Sequence, residues 1–390
     1  MIIKIFTIIL SATCVLSLAD PSFGQDVRYL AKFANGDRVR GKEIQAWYTP
    51  SGKPILEKKP LFDPANPAAW VMDLSHPATQ IPDALVEFVG GDRLPGKVVG
   101  FRRGSQQLDE QVPPCLLVEC KPSLATPHRS LSEKHLVRVH ARWARRVIWK
   151  KRSSNRYHPA TLFLRDGRRL TFRAVRWGDG SLRLLREEGT ESFSFQRIAE
   201  LHMPQTDPWN AYLDQLAVLS PNCRSRLIQL ETAGGLKITT SGQRFQPDSR
   251  GRSANPDRWY QRVQPAWSAD PLWVPYRSIR DWRFFSPDAF PLSNLQPDVV
   301  ETKRALAVSW ETQINQNVQG GPLRAGGRNF GWGIGTQAYC RLEYPLPSFA
   351  VSFQTSLGVD DVVGGGGCAL GAELLAYADG LREAYRSPIL

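Results

Sequence analysis

No Gly-x-Ser-x-Gly elbow, His-Glu-x-x-His helix, complete Gly-x-x-x-x-Gly-Lys-Ser/Thr phosphate loop or dinucleotide fingerprint occurs in the 390 residues. Their absence removes the motif-borne routes to acyl transfer, zinc hydrolysis, nucleotide hydrolysis and hydride transfer. Glycoside hydrolysis needs two carboxylates facing each other across a cleft, whereas the adjacent pairs Asp109-Glu110 and Glu187-Glu188 lie in polar turns. His135 and His140 flank a strand-like run and suggest no catalytic dyad. Cys-x-x-Cys is also missing, and the nearest cysteines, Cys115 and Cys120, have no histidine at finger spacing, so no zinc site is expected. The longest apolar run, Ile5 to Leu18, is shorter than the roughly 20 residues a membrane helix requires, so no membrane span is expected. Hydrophobic residues at 42% and charged residues at 22% exclude a disordered chain.

That apolar run has another reading. Lys4 precedes it, and Ser22-Phe23-Gly24 follows it with small residues around a cut, so residues 1–24 are expected to be a cleaved export signal with the mature chain starting near Gln25. A secreted, periplasmic or cell-surface protein follows. Five cysteines then remain, and the choice between a Cys340–Cys368 disulfide and buried free thiols stays open.

A repeated phrase organises the body of the chain. Phe33-Ala34-Asn35-Gly36-Asp37-Arg38 and Phe88-Val89-Gly90-Gly91-Asp92-Arg93 align without a gap. Weaker copies surround Gly167 and the pair Gly234-Gly235. Each reads as a strand, a tight turn and a returning strand, the pattern of a β-hairpin. Such turns are also chosen for backbone reasons alone. Arg146 to Trp149, Arg197 to Leu201 and Ser278 to Trp282 look like a shared closing strand. A hairpin plus a closing strand is the size of a small barrel resembling the SH3/Sm type. Two such units are expected in 25–150 and further ones in 151–290. Thr49 to Pro67 and Gln246 to Pro256 read as loops, and Trp209, Tyr212, Leu213, Leu216 and Leu219 predict one helical face within 207–219.

The formal charge of +13 is concentrated in 129–186, which holds 17 Lys or Arg against 3 Asp or Glu. Such a stretch attracts acidic polymers. Arg142, Arg145, Arg146, Lys150, Lys151 and Arg152 are its candidate contacts, with Trp143, Trp149 and Trp177 placed to stack on bases or sugar rings. Export turns the expectation toward acidic polysaccharide and away from genomic nucleic acid. A solvated face with arginines lying over strands is the alternative.

The most specific signal lies near the C-terminus. Gly320-Gly321-Pro322-Leu323-Arg324, Gly333-Ile334-Gly335-Thr336, Leu342-Glu343-Tyr344 and Leu357-Gly358-Val359-Asp360-Asp361 follow one another in order. Together they resemble the carbohydrate-binding module found beside family 98 glycoside hydrolases, NPCBM, a galactose-binding-like β-jelly-roll. Gln337 departs from that family, which has histidine there. Alternation in Tyr339 to Tyr344 and in Phe349 to Gln354 predicts two strands, and the resemblance implies a third at Cys368 to Tyr377, against the helical propensity of its alanines and leucines. About five strands are countable from Ala305 onward, where a jelly roll wants about eight, so 291–390 reads as an incomplete module.

The expected protein is thus mainly β: several small SH3/Sm-like barrel or hairpin repeats, then a partial galactose-binding-like jelly roll. The expected function is non-catalytic binding of a glycan or cell-surface polysaccharide, with Trp332, Gln337, Tyr339 and Tyr344 as candidate contacts; most of the aromatics of this region are expected in the core, and Trp332 is the first expected to be exposed. A protein-binding or structural module is the alternative, and a glycoside hydrolase with its site in the repeats is the more remote one. No cofactor is expected, except that Asp360 and Asp361 offer either a calcium site or a turn cap.

Overall fold

Alternating apolar residues and glycine turns build residues 26–290 into four units of one design. The computed structural model describes residues 6–12, 27–47, 53–77, 79–107, 110–125, 135–152, 157–219, 226–242, 245–247, 259–287, 289–295, 297, 299–302, 311–336, 340–344, 347, 350, 355–356, 358–361, 370–378 and 382–386. The chain divides into two compact parts, 26–290, and 291–390 together with 1–25.

Each unit opens with a hairpin and ends with a closing strand that pairs back on the opening one. The opening, second and closing strands are Tyr29–Phe33, Arg38–Gly41 and Ala68–Asp73 in the first unit, and Leu85–Phe88, Arg93–Pro95 and Ala144–Ile148 in the second. They are Thr161–Leu164, Arg169–Thr171 and Ile198–His202 in the third, and Leu227–Thr232, Lys237–Ser241 and Ile279–Phe285 in the fourth. A three-stranded meander fills the interval, and in the last three units a single 3-10 turn precedes the closing strand: Ala141–Trp143, Phe195–Arg197 and Tyr276–Ser278. The hairpin, the meander and the closing strand thus recur four times as small sheets of one design. In the first unit the meander is formed by Ile44–Gln45, Ile55–Leu56 and Lys59–Pro60, so the proline-rich stretch expected as a loop contributes short strands.

The hairpin turns are the same object four times. Gly36, Gly91, Gly167 and Gly235 have φ of 92°, 82°, 91° and 87°, a region costly for any residue with a β-carbon. Each glycine N–H donates to the carbonyl three residues back, on Phe33, Phe88, Leu164 and Thr232. Each of those four residues in turn donates its own N–H to the carbonyl of the residue after the glycine, Asp37, Asp92, Arg168 and Leu236. The fourth copy therefore aligns on Gly235 rather than Gly234.

The units join through one twelve-stranded sheet in the spatial order third, second, fourth, first. Closing strands meet at two of the joints, with Val147 opposite Leu201 and Trp282 opposite Val71. At the central joint the second strands meet, with Lys237 opposite Arg93. The hairpins of the first and third units are left at the sheet edges. Burial follows that order: Leu227–Thr232, Lys237–Ser241 and Ile279–Phe285 are buried at every position.

The predicted helix is Pro208–Leu219, capped by Asp207, whose Oδ1 accepts the Trp209 N–H at 2.8 Å. Tyr212, Gln215, Leu216 and Leu219 are buried, and the Tyr212 hydroxyl donates to the Pro287 carbonyl at 2.9 Å. Leu213, expected on the buried face, is 45% exposed, and Gln215 is buried beside the Gly90 turn instead.

In the second part, Val299–Thr302, Cys340–Glu343, Phe6–Ala12, Leu370–Ala378 and Arg382–Arg386 form one sheet in that order. The alanine- and leucine-rich C-terminal run is thus a strand. Phe6–Ala12, inside the segment expected as a cleaved signal, pairs with both Cys340–Leu342 and Leu370–Ala376. Its Thr7, Ile8 and Ile9 are β-branched and suit either fate. Shorter hairpins pair Gln313–Ile314 with Ile334–Gly335 and Arg324–Ala325 with Arg328–Asn329. The strand expected at Phe349 to Gln354 lies outside the described residues apart from Ala350.

Candidate functional site

In the C-terminal part, the two short hairpins place Trp332 in the turn just before Ile334–Gly335, half-buried. Opposite it runs a buried polar trio, Asn315, Gln316 and Asn317. Asn315 takes a left-handed φ of 58°, which asparagine tolerates, and its Oδ1 accepts the Gly333 N–H at 3.1 Å. Asn317 Oδ1 accepts the N–H groups of Gln319 and Gly321 at 3.0 and 2.7 Å. Gly335 is required here, because a β-carbon would sit 2.2 Å from the Gln316 carbonyl oxygen. This trio was not singled out in the sequence. Its only mark there is the polar run Gln313 to Asn317, interrupted by Ile314.

Of the residues expected to contact a sugar, Trp332 alone is described and accessible. Tyr344 is 3% exposed, its hydroxyl buried without a hydrogen-bond partner among the described residues, and burial pushes its phenol well above the usual range. It is a core ring, as large aromatics at strand ends commonly are. Gln337 and Tyr339 lie outside the described residues. Asp361 accepts the Gly327 N–H at 3.0 Å and pairs with Arg324 at 2.9 Å, which ties the glycine turn to the following segment. Among the described residues no group of three or more His, Cys, Asp or Glu side chains could hold a metal ion. Cys340 is a buried free thiol.

These residues lie within a recognisable domain. Residues 290–390 match the family model of the NPCBM/NEW2 domain. No curated protein and no solved structure matches the chain. The NPCBM/NEW2 match covers the part of the chain that carries Trp332, the Asn315–Asn317 trio and the Asp361–Arg324 pair, and it leaves the four repeats outside.

The basic stretch separates into three groups. Arg146 is 2% exposed, bound to Glu87 at 3.1 Å and to Glu200 at 3.1 Å, so it is no surface contact. Its position on a closing strand covered by the third unit removes it from solvent. Arg145 stacks over the Tyr157 ring at 4.1 Å and exposed Arg142 over Trp143 at 5.0 Å. Lys150, Lys151 and Arg152 line an open cavity in the repeat region. The tryptophans expected to stack on a ligand do not face it: Trp143, Trp149 and Trp177 are all buried, and Trp149 Nε1 donates to the Val98 carbonyl at 2.8 Å.

Two buried charge clusters lie in the sheet. Under the basic stretch, His202 Nδ1 accepts the His158 N–H at 2.9 Å, so Nε2 carries the proton and donates to Glu200 at 2.8 Å. Burial lowers the His202 pKa and keeps the ring neutral. At the sheet centre Arg93, Lys237, Glu231 and Asp281 stand in cross-strand register. Arg283 bridges Glu231 at 3.0 Å and Asp281 at 3.2 Å, and Arg93 reaches Glu231 at 2.6 Å. Burial alone would raise Glu231, but Arg283, Arg93 and Lys237 outweigh it and hold the carboxyl at about 2. Burial brings Lys237 down to about 7. Asp92 accepts from Thr239 N, Thr239 Oγ1 and Trp267 Nε1, each at 2.8 Å. Each of these carboxylates has a cation or donor inside the sheet, as buried charge requires.

Proposed function

We propose that the protein is an exported, non-catalytic carbohydrate-binding protein whose 290–390 region engages a glycan through the turn that carries Trp332. The match to the NPCBM/NEW2 domain carries this reading. Supporting it, Trp332 combines partial exposure with a rigid base, since Gly333 is hydrogen-bonded to Asn315 on the neighbouring strand in both directions, at 3.1 and 2.9 Å. An indole ring held this way offers a flat apolar face to a sugar at low entropic cost. The non-catalytic reading is supported by the buried carboxylates of the repeats, which are occupied by arginines, histidine and backbone donors. Export is supported by the Lys4, Ile5 to Leu18 and Ser22-Phe23-Gly24 pattern; among the described residues no helix is long and apolar enough to cross a membrane.

A glycan array probed with the full chain and with Trp332→Ala tests the binding. The expected outcome is a restricted set of bound glycans that Trp332→Ala loses. An array without any bound glycan, together with capture of a protein partner by the same region, would favour the protein-binding alternative. Intact-mass measurement on exported material is expected to give an N-terminus near Gln25. Retention of Met1, with Phe6–Ala12 still paired in the sheet, would overturn export.

A further inference from the structure

The cavity lined by Lys150, Lys151, Arg152, His158, Phe163, Leu164, Arg165, Gly167, Arg169 and Ala199 measures about 470 Å³ and belongs to the repeats rather than to the NPCBM/NEW2 region. That volume falls in the roughly 300–1,000 Å³ range of small-ligand sites. Its floor is the turn and opening strand of the third unit. Gly167 leaves the mouth open, with nothing within 4 Å of where a β-carbon would point.

The charge inventory is one-sided. Five cations line the cavity and no carboxylate does. Among the described residues none of Lys150, Lys151, Arg152, Arg165 and Arg169 takes part in an ion pair. The nearby acids are already engaged, Asp166 by Arg168 at 2.9 Å and Glu200 by Arg146 and His202 at 3.1 and 2.8 Å. The arginines are nevertheless placed. Arg152 lies over the Phe163 ring at 3.5 Å, and its backbone N–H donates to Glu200 at 2.9 Å. Its Nη1 is buried without a hydrogen-bond partner among the described residues. A buried guanidinium nitrogen left this way costs stability unless a ligand accepts from it. Arg169 approaches the same ring from 5.8 Å, and Arg165 Nε is fixed on the Ile198 carbonyl at 3.2 Å.

We infer that this cavity is a second binding site, for a sulfate- or carboxylate-bearing residue of an acidic polysaccharide. The oxyanion sits among Arg152, Arg169 and Lys151, and the sugar ring fills the remaining volume. Single-stranded nucleic acid fits the site less well, because base recognition uses exposed aromatic platforms. Phe163 is covered by Arg152 and Arg169, and the three tryptophans of the basic stretch are buried. The site does not depend on glycan binding by the C-terminal region.

Titration of the full chain with a sulfated oligosaccharide, a polyuronate oligosaccharide, an uncharged glucan oligomer and an oligothymidylate tests this. Saturable binding of either anionic saccharide, competed by inorganic sulfate, is expected, with none for the uncharged oligomer. Arg169→Ala and Lys151→Ala are each expected to weaken it about tenfold, the worth of one charge-assisted hydrogen bond. Arg152→Gln should act likewise at an unchanged melting temperature. Exposed Arg176→Ala and Arg183→Ala, on the neighbouring meander of the same unit, are expected to change it less than about twofold. Equal losses in both sets of variants would show a diffuse basic face and overturn the site. So would oligothymidylate binding as tight as the saccharide, or no binding of any anionic saccharide. Loss of the glycan-array signal with Trp332→Ala leaves this result untouched, so the two sites fail separately.

Discussion

The edge hairpins of the first and third units and the central hairpins of the second and fourth have the same turn, yet their polar residues meet opposite fates. Asp37 and Asp92 occupy the same place in two gapless copies of one phrase. Asp37 is an exposed partner of Lys59 at 2.9 Å, while Asp92 is fully buried and accepts three hydrogen bonds. Arg169, on the outermost strand of the third unit, faces a cavity; Lys237, on the second strand of the fourth, lies 2% exposed between Glu231 and Arg93. A repeat therefore supplies backbone geometry, and position in the sheet decides whether a polar side chain is structural or free for a ligand.

The largest expected break in that comparison is at the centre. Arg283→Met leaves Glu231 and Asp281 short of their shared cation, and loss of one partner from a buried charge cluster costs about 3–5 kcal/mol. Urea unfolding measures it. Next comes acid: the Glu231 carboxyl is held at about 2 against an ordinary 4.5, so its contribution is complete above pH 4.5 and lost as pH falls toward 2. Asp92 and Asp281, raised by burial, act in the opposite sense, so the measurement is the slope present in the wild type and missing from Glu231→Gln.

Asp92→Ala strands the Trp267 and Thr239 donors and is expected to cost about 1–3 kcal/mol, the penalty of an unsatisfied buried donor. Asp37→Ala should leave the melting temperature unmoved. A smaller contrast separates two turns of nearly equal φ. Gly167→Ala meets open space and pays the left-handed penalty of about 1–2 kcal/mol alone. Gly235→Ala places its β-carbon 2.7 Å from the Gln80 carbonyl oxygen as well, and thermal melting should show the greater loss. Arg169→Ala is expected to change stability as little as Asp37→Ala, within about 0.5 kcal/mol, although the same variant has one of the largest expected effects on saccharide binding.

Much of the fold was legible because it is local. The Phe-x-x-Gly-Asp phrase specifies its own hairpin through a φ that favours glycine, and closing strands at Arg146 to Trp149, Arg197 to Leu201 and Ser278 to Trp282 carry an apolar pattern that reads without a partner. The ordered glycine, tyrosine and Val-Asp-Asp blocks likewise marked 290–390 as NPCBM-like. The site was less legible. Tyr344 and Arg146 have the composition of contact residues and were candidate contacts, yet both are buried, Arg146 against Glu87 and Glu200 on strands distant in sequence. Asn315 to Asn317 have no motif to mark them.

What the sequence by itself determined is the turn geometry, the mainly β class and the concentration of cations in 129–186, all of which depend on neighbours a few residues apart. Only the tertiary structure decided which cations remain free. Arg146 finds Glu87 and Glu200, and Arg283 finds Glu231, across strands separated by 52 or more positions from at least one partner. Lys150, Lys151, Arg152, Arg165 and Arg169 gather where the acids are already taken. Charge compensation inside a sheet is set by register between distant strands, and composition along the chain does not contain it.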